Sequence, residues 1–149
     1  VIQMPLREAF GSTRSPGVPL ILSEVVAELA DAASPQQIAG FGFALGQRLA
    51  ARIRLDQVTG LNDLEMHLNR LWSELDLGEC HLDVDETALV VEHDPGLLRP
   101  DVLSPAARPF LVELLRGTFD ACFRALGSAA NVQTSATWHE RKIELRHGV

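Results

Sequence analysis

At Gly78 the hydrophobic pattern changes its period, and that switch constrains the fold more than any other feature of the chain. Before it, Leu61, Leu64, Leu68, Leu71 and Leu75 recur in steps of three and four, the spacing of a helix with one apolar seam. After it, ECHLDVD alternates polar and apolar residues, as a half-buried strand does. A helix followed at once by a hairpin requires helices packed on a sheet. Two heptads are too short for a free-standing coiled coil, so the five leucines form either an internal helix seam or an oligomer interface. Trp72 widens the same face.

The rest of the chain extends this plan. The first nineteen residues, with AFGSTRSPGVP among them, read as an N-terminal arm, and residues 20–149 as a single domain. A first helix is expected from Leu20 to Ala33, with Leu22, Val25, Val26 and Leu29 on one face and Glu24, Glu28 and Asp31 opposite. Ser34-Pro35-Gln36-Gln37 is a second helix start: an N-cap serine, a proline at the first helical position and a glutamine placed to close a capping box. Ile38, Phe41, Leu45, Leu49 and Ile53 then form a stripe. Gly42 and Gly46 lie one turn apart in that helix. Each glycine costs about 1 kcal/mol relative to alanine, and close approach of another helix is the return expected from them.

Gly78 is expected to end the leucine helix. TALVVEHD follows ECHLDVD after a turn at Asp85-Glu86. Neither turn residue favours left-handed backbone, which leaves room for a loop longer than two residues. A long helix is expected after Ser104 and ends by Gly127, with Phe110, Leu111, Leu114, Leu115, Phe119, Cys122, Phe123 and Leu126 on a wide apolar face. Two strands close the chain, NVQTSATWH and KIELRHG, with His139-Glu140-Arg141 in the turn. The order is α-α-α-β-β-α-β-β, an α+β fold with an antiparallel sheet of about four strands packed with four helices.

Charge and composition narrow the partners. With 149 residues the chain is one domain, and a formal charge of −7 argues against nucleic acid and anionic membrane. No run approaches the roughly 20 apolar residues a membrane helix needs. Cys80 and Cys122 sit in apolar patterns and read as buried thiols that suit a reducing compartment. The opening VIQMPLREAFGSTRS lacks the compact apolar stretch of a signal peptide, which favours the cytoplasm and leaves the periplasm open.

The polar crowd from Glu79 to Asp94 is the one place that resembles a site. A two-residue turn would set Val84 against Thr87, Leu82 against Leu89 and Cys80 against Val91, all on one mostly apolar face. Glu79, His81 and Asp83 would share the other face with Ala88, Val90 and Glu92. His93 would fall beyond the ladder, and Asp94 in the loop before Pro95. His81 and Asp83 could bind a metal only with a third ligand from elsewhere, and the chain has no H-E-x-x-H or other ligand motif. Glu79 and Glu92 could oppose each other, but nothing sets them in a cleft. His67, His139 and His147 are isolated, and the closing RHG reads as a tail or a tag remnant. The sequence therefore predicts no catalytic residue, metal or cofactor.

Between Gly40 and Asp94 lie GFALGQRLAARI, LNDLEMHLNRLW and LGECHLDVDETALVVEHD. Their frame is a Gly-rich helix ending in RLA-R, then Leu61, Leu64, Leu68, Asn69 and Leu71, then Gly78, Leu82, Asp83, Val91, His93 and Asp94, with Pro95 after the pair. It resembles the protein D family of bacterial cellulose synthase operons, and FRALG and KIELR extend the likeness over about residues 20–147. The N-terminal arm departs most. The resemblance implies an α+β, non-catalytic accessory subunit that builds a ring-shaped octamer from dimers and helps order parallel glucan chains into crystalline fibrils. Its implied partners are further copies of itself, other proteins of the synthase complex and, if contact is direct, glucan. The competing class is a small acidic dimeric secretion chaperone that binds an unfolded effector segment.

Overall fold

The structure, a computed structural model, describes residues 17–149. Helix α1 spans Gly17–Ala30, α2 Pro35–Ala50, a 3-10 turn Leu55–Gln57, and α3 Leu61–Leu75. Strands β1 (Glu79–Val84) and β2 (Ala88–Asp94) follow, then α4 (Ala107–Ala125), β3 (Gln133–His139) and β4 (Lys142–Gly148). The four strands form one antiparallel sheet in the order β1-β2-β4-β3. This is the α+β fold and the element order expected from the sequence. Residues 1–16 of the expected arm lie outside the described residues, and α1 starts three residues before Leu20. Pro19 sits in its first turn, where a missing N–H is harmless.

Local chemistry sets the helix ends. Ser34 caps α2: its hydroxyl accepts from the Gln37 N–H at 3.2 Å, and the Gln37 side chain accepts from the Ser34 N–H at 2.8 Å. Helix α4 follows Ser104, whose hydroxyl accepts from the Ala107 N–H, and it ends on Gly127 at φ 104°. There the Ser128 N–H bonds back to the Phe123 carbonyl, the closing bond of a Schellman turn. Helix α3 stops earlier than expected. Asp76 takes the left-handed conformation at its end, so Gly78 is not the terminator.

The helices cover one face of the sheet. Leu82, Val91, Ile143 and Leu145 point inward and meet Leu64, Leu68 and Trp72 of α3 and Leu111, Leu114, Leu115 and Phe119 of α4. No other pair of the described helices packs as extensively as α2 and α4. Their contact is made by small residues: α2 buries Ile38, Gly42, Gly46 and Ala50, at strict steps of four. The larger stripe expected to pack lies on its flank, where Leu45 and Leu49 are half-buried and Phe41 is exposed. A Cβ at Gly42 would lie 2.8 Å from the Phe110 carbonyl oxygen, and one at Gly46 would overlap the Leu114 carbonyl. From the other side, a Cβ at Gly117 of α4 would overlap the Phe43 carbonyl, while the Arg116 guanidinium stacks over the Phe43 ring at 4.4 Å.

The first hairpin corrects the expected register. Val84 pairs with Leu89, Leu82 with Val91 and Cys80 with His93, a shift of two that lengthens the loop to Asp85–Thr87. The cause is the Asp85 carboxylate, which accepts from the N–H groups of Thr87 and Ala88, both at 2.8 Å. A shift of two keeps each side chain on its face but brings His93 into the ladder.

The glycines of α2 should separate cleanly on substitution. Gly46→Ala forces a methyl group into the α4 backbone and should destabilise the protein by about 1–3 kcal/mol in urea denaturation. Gly40, with nothing within 4 Å of its added Cβ, should gain about 0.5–1 kcal/mol on the same change.

Candidate functional site

The hairpin acids and histidines separate once placed. His81, largely exposed, lies 3.0 Å from the Glu65 carboxylate of α3. Glu92 faces His81 and takes the Lys142 ammonium at 2.6 Å, while Glu79 faces Asp94, so Glu79 and Glu92 are not opposed. Among the described residues no three His, Cys, Asp or Glu side chains converge as metal ligands.

His93 is the residue whose role changes most. It is fully buried, with its ring edge-on to Trp72 at a centroid distance of 5.1 Å and against Phe119. Nε2–H donates to the Leu77 carbonyl at 2.8 Å, while Nδ1 is buried without a partner. Burial pushes its pKa down to about 4, against the smaller upward pull of the Leu77 carbonyl. The bond ties β2 to the turn between α3 and β1. Gly78 in that turn has φ 83°, and any Cβ there would overlap the Asp94 carbonyl. The Asp94 carboxylate meanwhile accepts from the Gly96 N–H at 2.9 Å. The Gly78, His93 and Asp94 marks thus hold one junction together.

Asn69 and Glu65 perform a second structural task. Strand β1 is a sheet edge, and its outward backbone groups need partners. The Asn69 amide accepts from the Cys80 N–H at 2.7 Å and donates to the Cys80 carbonyl at 2.9 Å, as a neighbouring strand would. The Glu65 carboxylate accepts from the Leu82 N–H at 2.7 Å. Helix α3 therefore blocks this edge with side chains.

The structure also assembles a group that the sequence left scattered. The closing RHG is part of β4, and His147 is buried there. Its Nε2 lies 2.6 Å from the Ser128 hydroxyl and its Nδ1 2.7 Å from the Thr134 hydroxyl, which donates to Asp120 at 2.9 Å. Asp120 is held by Arg124 at 2.9 Å. Ser128 and His147 line one end of an apolar groove of about 330 Å³ with Leu61, Leu64, Leu89 and Phe123. The chain Ser–His–Thr–Asp has the order of a nucleophile and its base, but the setting opposes acyl transfer. The N–H groups of Ser128 and Gly127 donate to α4 carbonyls, and the helix end presents partial negative charge. A developing oxyanion would meet acceptors instead of donors. The chain braces β3 and β4 to the end of α4. Its one sequence signal was the period-two run Ile143, Leu145, His147, which sets His147 on the inner face.

Of the seam residues, Leu64 and Leu68 are buried against the sheet, while Leu61, Leu71 and Leu75 are half-buried beside the same core. Gly42 and Gly46 sit at the α2–α4 crossing. Exposed apolar side chains include Phe41, Met66, Val84 and Leu126, scattered over α2, α3, β1 and the C-cap of α4, and a group of three on α1. On α1, Val18, Ile21 and Val25 are 38%, 64% and 42% exposed, while Val26 on its inner face is buried. No described helix is long and apolar enough to cross a membrane.

These contacts define a small α+β domain whose buried polar residues join its elements to one another. The sequence model of the family formed by the D subunit of cellulose synthase matches residues 11–148, nearly the whole chain, and the chain belongs to that family. No curated protein matches it. Membership supports an accessory role in cellulose synthesis and implies association with the cellulose synthase complex.

His93 gives the junction a pH signature. Its folded pKa lies below the unfolded value of 6.5, so its contribution to stability is complete above that value and is lost as pH falls toward 4. At about 1.4 kcal/mol per unit, urea midpoints should report a loss of about 2 kcal/mol between pH 7 and pH 5. His147, also shifted down by burial, adds a change of the same sign. His93→Gln, which does not titrate, should remove most of the slope.

Proposed function

We propose that the protein is a non-catalytic scaffold subunit of a bacterial cellulose synthase complex, acting as a homo-oligomer of dimers assembled into an octameric ring. Family membership supports the setting. The observation that carries the self-association is the outer face of α1. Its inner side packs on the core, yet Val18, Ile21 and Val25 recur at steps of three and four on the exposed side. A short helix with apolar residues on both faces is stabilised by a partner on the second face.

The scaffold orders glucan by placing synthases side by side. Direct glucan stacking has less support: the chain has no tyrosine, Trp72 is buried and Trp138 is half-buried on the inner face of the sheet. Cys80 and Cys122 are buried free thiols, which favours the cytoplasmic side.

Light scattering of the purified chain tests the assembly. A mass of eight subunits is expected, and Ile21→Glu with Val25→Glu should reduce it to dimers or monomers without loss of helical circular dichroism. A stable dimer that captures an unfolded peptide would instead favour the secretion chaperone, and an unchanged mass in the double variant would remove α1 from the interface.

A further inference from the structure

The outer face of α1 is acidic as well as apolar. Glu24, Glu28 and Asp31, at steps of four and three, run beside Ile21 and Val25, and among the described residues none of the three acids has an ion-pair partner. The cations of the molecule are mostly engaged: Arg54, Arg99, Arg116, Arg124, Lys142 and Arg146 all meet carboxylates. Arg48, Arg52, Arg70, Arg108 and Arg141 meet none among the described residues, and two of these five share one site. Arg52 and Arg70 line one depression of about 190 Å³ at the corner between the end of α2 and the middle of α3, and Arg48 lies one turn back along α2. Ile53 and Leu71 also line it.

Other charges face this corner and reduce its positive charge. Arg54 is paired with Asp56, and His67 with Asp63. Glu74 also lines the depression, against two free arginines. A cation at the end of α2 is favoured by the helix dipole, which accounts for Arg48 and Arg52 without any partner. It does not account for Arg70, in the middle of α3. Nor does it explain why two unpaired cations of a chain with net charge −7 line one depression beside Ile53 and Leu71.

We infer that this corner receives α1 of a second copy: Ile21 or Val25 enters the depression, and Glu24 and Glu28 meet Arg52 and Arg70. The inference rests on the homo-oligomeric reading and specifies one of its contacts. Helix and corner are different surfaces of one chain, so the contact is heterologous, with each copy donating a helix and receiving one. Head-to-tail contacts of this type generate rings when the rotation closes. Paired charges at the rim select the partner and its orientation, and the apolar side chains supply area.

The test is a charge exchange in the full chain, read by light scattering at low and high salt. All four positions are exposed, so circular dichroism should stay unchanged throughout. Arg52→Glu with Arg70→Glu should weaken association at least tenfold and give smaller species. Adding Glu24→Arg and Glu28→Arg to that variant should restore the wild-type mass. An unaltered mass in the first variant, or no recovery in the fourfold one, overturns the contact while leaving the oligomer in place. A wild-type chain that stays monomeric at every concentration overturns the scaffold reading itself, and the contact with it.

Discussion

Backbone meets backbone where α2 crosses α4, and the rest of the fold is arranged around that contact. Gly42 and Gly46 present bare Cα atoms to the carbonyls of Phe110 and Leu114, and Gly117 returns the same to Phe43. Helices that approach this closely gain dispersion contacts along both chains and leave no room between them for large side chains. Phe110 at the start of α4 stacks on Phe41 of α2, and other bulky residues of α4 face away from α2. Leu111, Leu115, Phe119 and Cys122 do so, and they build the core shared with the sheet and α3. The three glycines lower helix propensity, and the packing they permit offsets it.

The sheet depends on a second set of polar contacts, at its two ends. At one end His93, Gly78 and Asp94 lock β2 to the turn leaving α3, and Asn69 fills the free edge of β1. At the other, His147, Thr134, Ser128 and Asp120 connect β3 and β4 to the close of α4. His93, Thr134 and His147 among these side chains pair groups that the fold buries. Losing one therefore exposes the full desolvation penalty of its partner, about 1–3 kcal/mol, beyond the bond itself.

The element order was legible because it is written in period and in caps. The leucine stripe, the alternation after Gly78 and the Ser34 capping box are local signals, and local geometry decides them. What was not legible depends on groups distant in sequence or on one side chain folding back. The register slipped by two because Asp85 closes its loop with a carboxylate, which no turn dipeptide announces. His93 looked like loop polarity because the ladder was read two residues short. Gly78 looked like a helix stop, whereas its constraint comes from Asp94, sixteen residues away. On α2, Gly42 and Gly46 marked a place for close helix approach in the sequence, but nothing local said that α4 is the helix they meet. The Ser128–His147 pair joins a helix cap to a terminal strand, and only the tertiary fold brings them together.

The buried His93, Thr118, Asp120, Thr134 and His147 side chains each bond another part of the same chain, although His93 Nδ1 and the two indole N–H groups have no partner among the described residues. The surface among the described residues includes an apolar stripe and unpaired acids on α1, and two unpaired arginines beside Ile53 and Leu71 at the α2–α3 corner. Polar side chains that join elements across the interior hold the domain together, and the exposed faces are where the proposed contacts between copies would form.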